Sequence, residues 1–303
     1  MTELVAAIDC GTNTVKLLVT GPGGERVREM RMVRLGEGVD RTGRLSDEAL
    51  ARTFAALDEY AALLHAHGVP PQRVRFCATS ASRDAANADV FTAGVRERLG
   101  VQPEVVTGAE EAALAYGGAV AHLRAAPAYP VLVVDVGGGS TELVLGGPDG
   151  PTVAHSMDIG SVRLHERHLH GDPPTPAEVA AVLADVDRAL DGCPVDPAAA
   201  ATVVGVAGTV TTLAAGVLGL AAYDRAAIDQ AVLTTADVQD LVDRLVAMPR
   251  AARLALPWLH PGRADVIDAG GLILGRVLER SGATSLVVSE SDILDGIAAS
   301  LQG

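Results

Sequence analysis

The chain has 303 residues, 49% hydrophobic and 20% charged, which excludes a disordered chain and suits two domains of about 150 residues each. Its 24 Lys and Arg face 38 Asp and Glu, a formal charge of −14, so a broad basic face for nucleic acid is excluded. Aromatics are only 3% and Lys16 is the single lysine. The core must therefore be Ala, Val and Leu. The Gly-Lys-Ser/Thr ending of a Walker loop occurs nowhere, which leaves phosphate chemistry to backbone N–H groups, hydroxyls, arginine or a metal.

Leu4–Ile8 reads as a buried strand, and Val15–Thr20 as a second after a glycine turn. Ser46 to His67 is an amphipathic helix, with Ser46 as cap, Asp47 and Glu48 at its positive end, and Gly68 and Pro70 stopping it. Arg73–Thr79 alternates like a strand, Asp89–Leu99 is a helix closed by Gly100, and the short strand Glu104–Thr107 feeds a helix over Ala109–Leu123. Arg124–Pro130, rich in Ala and Pro, is the linker candidate. Pro197–Tyr223 carries no charge and is long enough to span a bilayer. Its four glycines and four threonines favour a strand, a glycine turn and a buried helix instead. Cys10, Cys77 and Cys193 are an odd, scattered set, and Glu3 and Asp9 interrupt the apolar N-terminus. The expectation is a soluble, cytoplasmic protein without signal peptide or membrane span.

The second half repeats the first. Asp9-Cys-Gly-Thr-Asn-Thr-Val-Lys-Leu-Leu-Val19 lies over Asp135-Val-Gly-Gly-Gly-Ser-Thr-Glu-Leu-Val-Leu145, matching Asp9 with Asp135, Gly11 with Gly137, Thr14 with Ser140 and Leu17 with Leu143. Two copies of strand–Asp–glycine turn–strand point to a duplicated α/β fold with a cleft between the copies. A glycine turn after a buried strand lets successive N–H groups form a nest for phosphate oxygens. Thr12, Asn13 and Thr14 add donors in one copy, and Gly138, Gly139, Ser140 and Thr141 complete the other. Asp9 and Asp135 would repel phosphate and make sense as outer ligands of Mg²⁺. The competing reading, two ordinary hairpins with Asp caps, explains one copy better than two.

Arg83, in a polar turn, and Arg163, after Asp158-Ile-Gly160, are candidates to fork onto phosphate, though a surface ion pair explains a single arginine as well. Gly208-Thr209 can offer helix N-terminal N–H groups to a phosphate. His165-Glu-Arg-His168 lacks zinc-protease spacing and reads, with His170, as a solvated helix face. Cys10 has no basic partner in sequence, which argues against a nucleophile.

Together these motifs resemble the exopolyphosphatase / guanosine pentaphosphate phosphatase family, within the superfamily of actin, heat-shock ATPases and sugar kinases. The resemblance runs through Ala7–Thr14, Ala78–Asn87, Thr107-Gly-Ala-Glu-Glu-Ala112, Asp135-Val-Gly-Gly-Gly-Ser-Thr-Glu142, Asp158–Arg163 and Gly205-Val-Ala-Gly-Thr209. It implies two actin-like (ribonuclease H-like) domains, each a mixed sheet flanked by helices: residues 1–123, completed by a C-terminal helix over 292–303, and residues 124–291. It also implies Glu111 as the water-activating base and Glu142 as a second catalytic carboxylate that binds Mg²⁺ or positions the water. The activity implied is release of terminal phosphate from inorganic polyphosphate or guanosine pentaphosphate, with no nucleic-acid or membrane partner; a homodimer is left open. Ser291-Asp-Ile-Leu294 departs from the family's Gly-Gly-Leu-Arg stretch, and the chain stops where longer members continue, which suggests short chains or nucleotides as substrates. A kinase of the same superfamily and a non-catalytic alarmone or polyphosphate sensor are the alternatives.

Overall fold

The computed structural model describes residues 4–302; Glu3 and Gly303, invoked above, lie outside them. Its first sheet contains β1 (Val5–Cys10), β2 (Thr14–Gly21), β3 (Gly24–Met32), β4 (Val74–Ala78) and β5 (Glu104–Val105), in the order β3-β2-β1-β4-β5. Around it lie α1 (Val39–Thr42), α2 (Asp47–Ala66), α3 (Ser80–Asp84), α4 (Ala88–Leu99) and α5 (Gly108–Ala121). Ser46 caps α2 as expected, its hydroxyl accepting the Ala49 N–H.

The second sheet, in the order β10-β11-β9-β6-β7-β8, contains β6 (Val131–Val136), β7 (Thr141–Gly147), β8 (Gly150–Met157), β9 (Thr202–Val206), β10 (Val232–Thr234) and β11 (Ser285–Val288). Its helices are α6 (Ser161–His168), α7 (Pro176–Asp191), α8 (Ala207–Val217), α9 (Arg225–Ile228), α10 (Thr235–Ala247), α11 (Arg250–Leu254) and α12 (Ile267–Ser281), and α13 (Ile293–Ser300) follows β11. This is the α/β, actin-like architecture expected. The duplication covers more than the two hairpins: antiparallel β1-β2-β3 with parallel β4 reappears as antiparallel β6-β7-β8 with parallel β9.

The uncharged segment 197–223 is strand and helix, and among the described residues no helix is long and apolar enough to cross a membrane. No glycine turn separates its strand from its helix. Val206 runs straight into α8 through Ala207, whose φ of 61° is a left-handed conformation that costs energy for a residue with a Cβ.

One helix serves both sheets. α5 turns Ala115 toward Ala7, Leu18 and the α13 residues Ile293, Leu294 and Ile297. Its Ala112, Tyr116 and Ala119 pack on Val131, Val133, Val144 and Val204 of the second sheet. The N-terminus of α5 is thereby fixed over the seam between the lobes. α13 lies against α5, β1 and β2, held by ion pairs from Lys16 to Asp292 and from Arg28 to Asp295.

Candidate active site

The two glycine turns face each other across the seam and share their hydrogen-bond geometry. Gly11 N–H donates to the Thr14 carbonyl at 2.9 Å, and Gly137 N–H to the Ser140 carbonyl at 3.0 Å. The turn carbonyls are occupied from behind: Thr12 accepts from Gly36 N–H, Gly138 from Val162 N–H, and Gly139 from Arg163 Nε. The N–H groups of Thr12, Asn13, Gly138, Gly139 and Ser140 have no protein acceptor among the described residues. Free N–H groups at both turns are what an anion nest requires.

Between them lies a narrow cavity of about 60 Å³. Asp9, Gly11, Thr12, Asn13, Thr14, Glu111, Asp135, Gly137, Gly138, Gly139, Ser140, Glu142, Gly208 and Thr209 all border it. The lobes are shut. A Cβ on Gly139 would sit 2.5 Å from both Ser80 Oγ and Thr12 Oγ1 on the opposite lobe.

Two expected donors stand elsewhere. Thr141 is fully buried on β7 and its hydroxyl donates to the Ile159 carbonyl at 2.7 Å, because β-strand alternation turns it inward. Arg83 does not border the cavity; it donates to the Val106 carbonyl and stands 3.5 Å from Glu111 Oε2. Arg163 is no free fork either, since its two terminal nitrogens bind Asp40 and Asp84 across the cleft. The helix carrying it is not a solvated face: Glu166 accepts the Gly38 N–H, and Arg167 and His168 bind Asp185. Thr209 contributes through its backbone alone, its hydroxyl donating to the Val136 carbonyl. Gly208 and Thr209 form the first turn of α8 rather than preceding it, so their N–H groups still point out of a helix N-terminus. Cys10 is buried, and burial followed by the neighbouring Asp9 pushes its thiol up, leaving it inert.

The acids crowd. Burial pushes the Glu111 carboxyl up to about 10, aided by Glu142, Asp9 and Asp135 and opposed by Arg83. Asp9 rises to about 6 through burial despite Lys16, and burial also raises Asp135 well above its ordinary range. Glu142 is raised by burial, against hydroxyl hydrogen bonds from Ser156 and Ser140.

Lys16, Ser80 and Arg263 are among the cavity residues that the sequence reading did not single out. Lys16 Nζ lies 2.6 Å from Asp292 and 3.5 Å from Asp9. Overlaying the two hairpins sets Lys16 on Glu142, a signal that could have found it. Ser80 Oγ lies 2.9 Å from Thr12 Oγ1. Arg263, over the first turn of α8, makes no side-chain hydrogen bond or ion pair among the described residues; no local pattern marks it. Beyond Lys16, Gly208 and Arg263 opens a second cavity of about 530 Å³, bordered also by Arg28, Arg225, Tyr223 and Trp258.

Among the described residues no three His, Cys, Asp or Glu side chains converge to hold a metal by themselves. Magnesium rarely needs such a cage, since one or two carboxylates, waters and substrate phosphates complete its shell. Four carboxyls crowd one ammonium, and a divalent cation among them would favour the charged forms that burial and mutual repulsion now oppose.

The profile of the Ppx/GppA phosphatase family matches residues 26–301. Exopolyphosphatase 2 of Mycobacterium tuberculosis is 49% identical over 99% of this chain and 98% of its own. A solved exopolyphosphatase-like protein, 42% identical, superposes with a TM-score of 0.94 over 98% of both chains. The Ppx/GppA protein of Aquifex aeolicus, 33% identical, covers 100% of this chain and 99% of its own with a TM-score of 0.81. With the profile spanning nearly the whole sequence and these relatives matching it end to end, the chain belongs to the Ppx/GppA phosphatase family.

Proposed function

We propose that the protein is a magnesium-dependent exopolyphosphatase that releases orthophosphate from the end of inorganic polyphosphate, guanosine pentaphosphate or both. The observation that carries this reading is the meeting of Glu111 and Glu142 in one cavity walled by two N–H nests. The names of the relatives support the substrate class.

In this reading the N–H groups of Thr12, Asn13, Gly138, Gly139 and Ser140, with the α8 N-terminus, hold the terminal phosphate and its neighbour. Asp9, Asp135 and Glu142 would hold magnesium, which would supply positive charge to offset the acid cluster and the substrate's own charge. Glu111 takes the proton of a water whose oxygen bonds to phosphorus as the bridging P–O bond breaks, its electron pair leaving on the departing phosphate oxygen. Arg83 stays beside Glu111 and steadies its charged form. Arg263 and Lys16 stand where the remaining chain or a nucleoside would lead into the larger cavity, which has room for a short substrate. The same reading assigns residues 1–123 with 292–303 to one domain and 124–291 to the other, supported by α13 packing on β1 and β2. It sets the enzyme in a reducing, cytoplasmic compartment, where its unpaired cysteines are at home.

The test is orthophosphate release from short polyphosphate, long polyphosphate and guanosine pentaphosphate, with and without magnesium and with no acceptor present. Metal-dependent release from at least one is expected. Tight binding without release overturns the reading in favour of a sensor, and transfer only to an added acceptor in favour of a kinase.

A further inference from the structure

Across the second sheet, Asp135 on β6, Glu142 on β7 and Ser156 on β8 are direct cross-strand partners. Three residues in one such rung project from the same face. Ser156 Oγ donates to Glu142 Oε1 at 2.6 Å. The first turn of α5 closes over this rung, and a Cβ on Gly108 would lie 2.5 Å from Ser156 Cβ. Glycine at 108 therefore lets the helix that carries Glu111 seat directly on the serine that grips Glu142.

The first sheet supplies the comparison. Its corresponding rung is Asp9, Lys16 and Met30. A methionine fills the place of Ser156 in an otherwise parallel frame, so neither the strand pairing nor the packing of this hairpin demands a hydroxyl there. Glu142 is the longer, more rotatable carboxylate of the rung and is almost fully buried. Ser140 also donates to this carboxylate, and the Ser156 O–H on Oε1 adds the second donor that fixes the plane of the group.

We infer that Ser156 is a positioning residue, orienting the Glu142 carboxylate for the reaction through its hydroxyl. The inference rests on the catalytic reading of Glu142 given above. Loss of such a supporting hydrogen bond costs on the order of ten- to a hundredfold in activity.

The experiment compares the native enzyme with Ser156→Ala, Glu142→Asp and the double variant, using orthophosphate release with saturating magnesium. Ser156→Ala is expected to lower kcat about tenfold or more, with KM changed less than about twofold and the unfolding midpoint unmoved. In Glu142→Asp the shortened acid no longer reaches the hydroxyl, so adding Ser156→Ala should change its rate little. Thr152→Ala, which removes a β8 hydroxyl bound to the Leu145 carbonyl, should leave kcat unchanged. Equal losses from Ser156→Ala in both backgrounds, or a kcat drop matched by Thr152→Ala, overturn the inference in favour of a structural role. Native kcat in Ser156→Ala alongside a crippled Glu142→Asp also overturns it, while leaving the proposed function intact. Native kcat in Glu142→Asp instead removes the catalytic reading of Glu142 itself.

Discussion

Lys16 and Glu142 occupy the same register in the two sheets: Lys16 is the cross-strand partner of Asp9, and Glu142 of Asp135. Each aspartate is the next-to-last residue of the first strand in its lobe. The duplicated frame thus delivers a cation on one side of the cleft and a carboxylate on the other. The cation is held in place. Although burial opposes its charge, Asp292, Asp9 and Asp135 raise the Lys16 pKa, and Lys16 in turn helps hold Asp292 below its ordinary value against burial.

Lys16→Met removes the only ammonium in this cluster and leaves Asp292 and Asp9 buried without their partner. Breaking a buried pair from one side costs about 3–5 kcal/mol, so the denaturant midpoint should fall accordingly. Adding Asp292→Asn should recover part of the loss. Equal midpoints for native and Lys16→Met proteins would falsify this account of how α13 is anchored.

Glu111→Gln keeps the size and most of the polarity of the side chain but removes its capacity to accept a proton. Turnover should drop on the order of a hundred- to ten-thousandfold, the usual worth of a positioned base, while calorimetric binding of non-hydrolysed polyphosphate with magnesium persists. A variant that turns over at the native rate excludes Glu111 as the base.

Gly139→Ala drives a methyl into Ser80 and Thr12 of the opposite lobe. The lobes can relieve the contact by staying apart, at the expense of the geometry between Glu111 and the bound phosphate. Displacement of that order costs about a hundredfold in rate. The radius of gyration from solution scattering should rise together with the loss of phosphate release, and a variant as compact and active as the native protein would contradict it.

His165 lies within the second lobe, facing Asp268 of α12, Asp265, Arg253 of α11 and His170. Burial lowers its pKa below the ordinary 6.5, with Arg253 and His170 adding to the effect and the two aspartates opposing it. A depressed folded-state value means the neutral ring stabilises the protein above about 6.5 and that this contribution is lost as pH falls through the folded-state pKa. The native melting temperature should fall more steeply below pH 6.5 than that of His165→Gln. Parallel curves for the two proteins count against it.

Much of this was legible in the chain. The hairpins announced themselves through apolar strands, an aspartate and glycines repeated at a fixed offset, and both loops lie where that repeat set them. The expected phosphate donors failed at Thr141 for a local reason: one step along a strand reverses the side chain, and β7 turns Thr141 inward while Glu142 faces the cavity. Arg163 failed for a tertiary one, because Asp40 and Asp84 are remote in sequence and meet it across the cleft between the lobes.

Alternation of apolar and polar residues, glycine placement and the internal repeat are local properties, so the sequence by itself determined the paired hairpins, their turns and which acids and N–H groups those turns carry. The placing of α5 between two sheets, the pairing of Lys16 with Asp292 over 276 positions, and the exposure of Arg263 to the cavity were decided only by tertiary structure. They depend on burying the two inner sheet faces against shared helices, and the energy of that burial has no signature in any short stretch of chain.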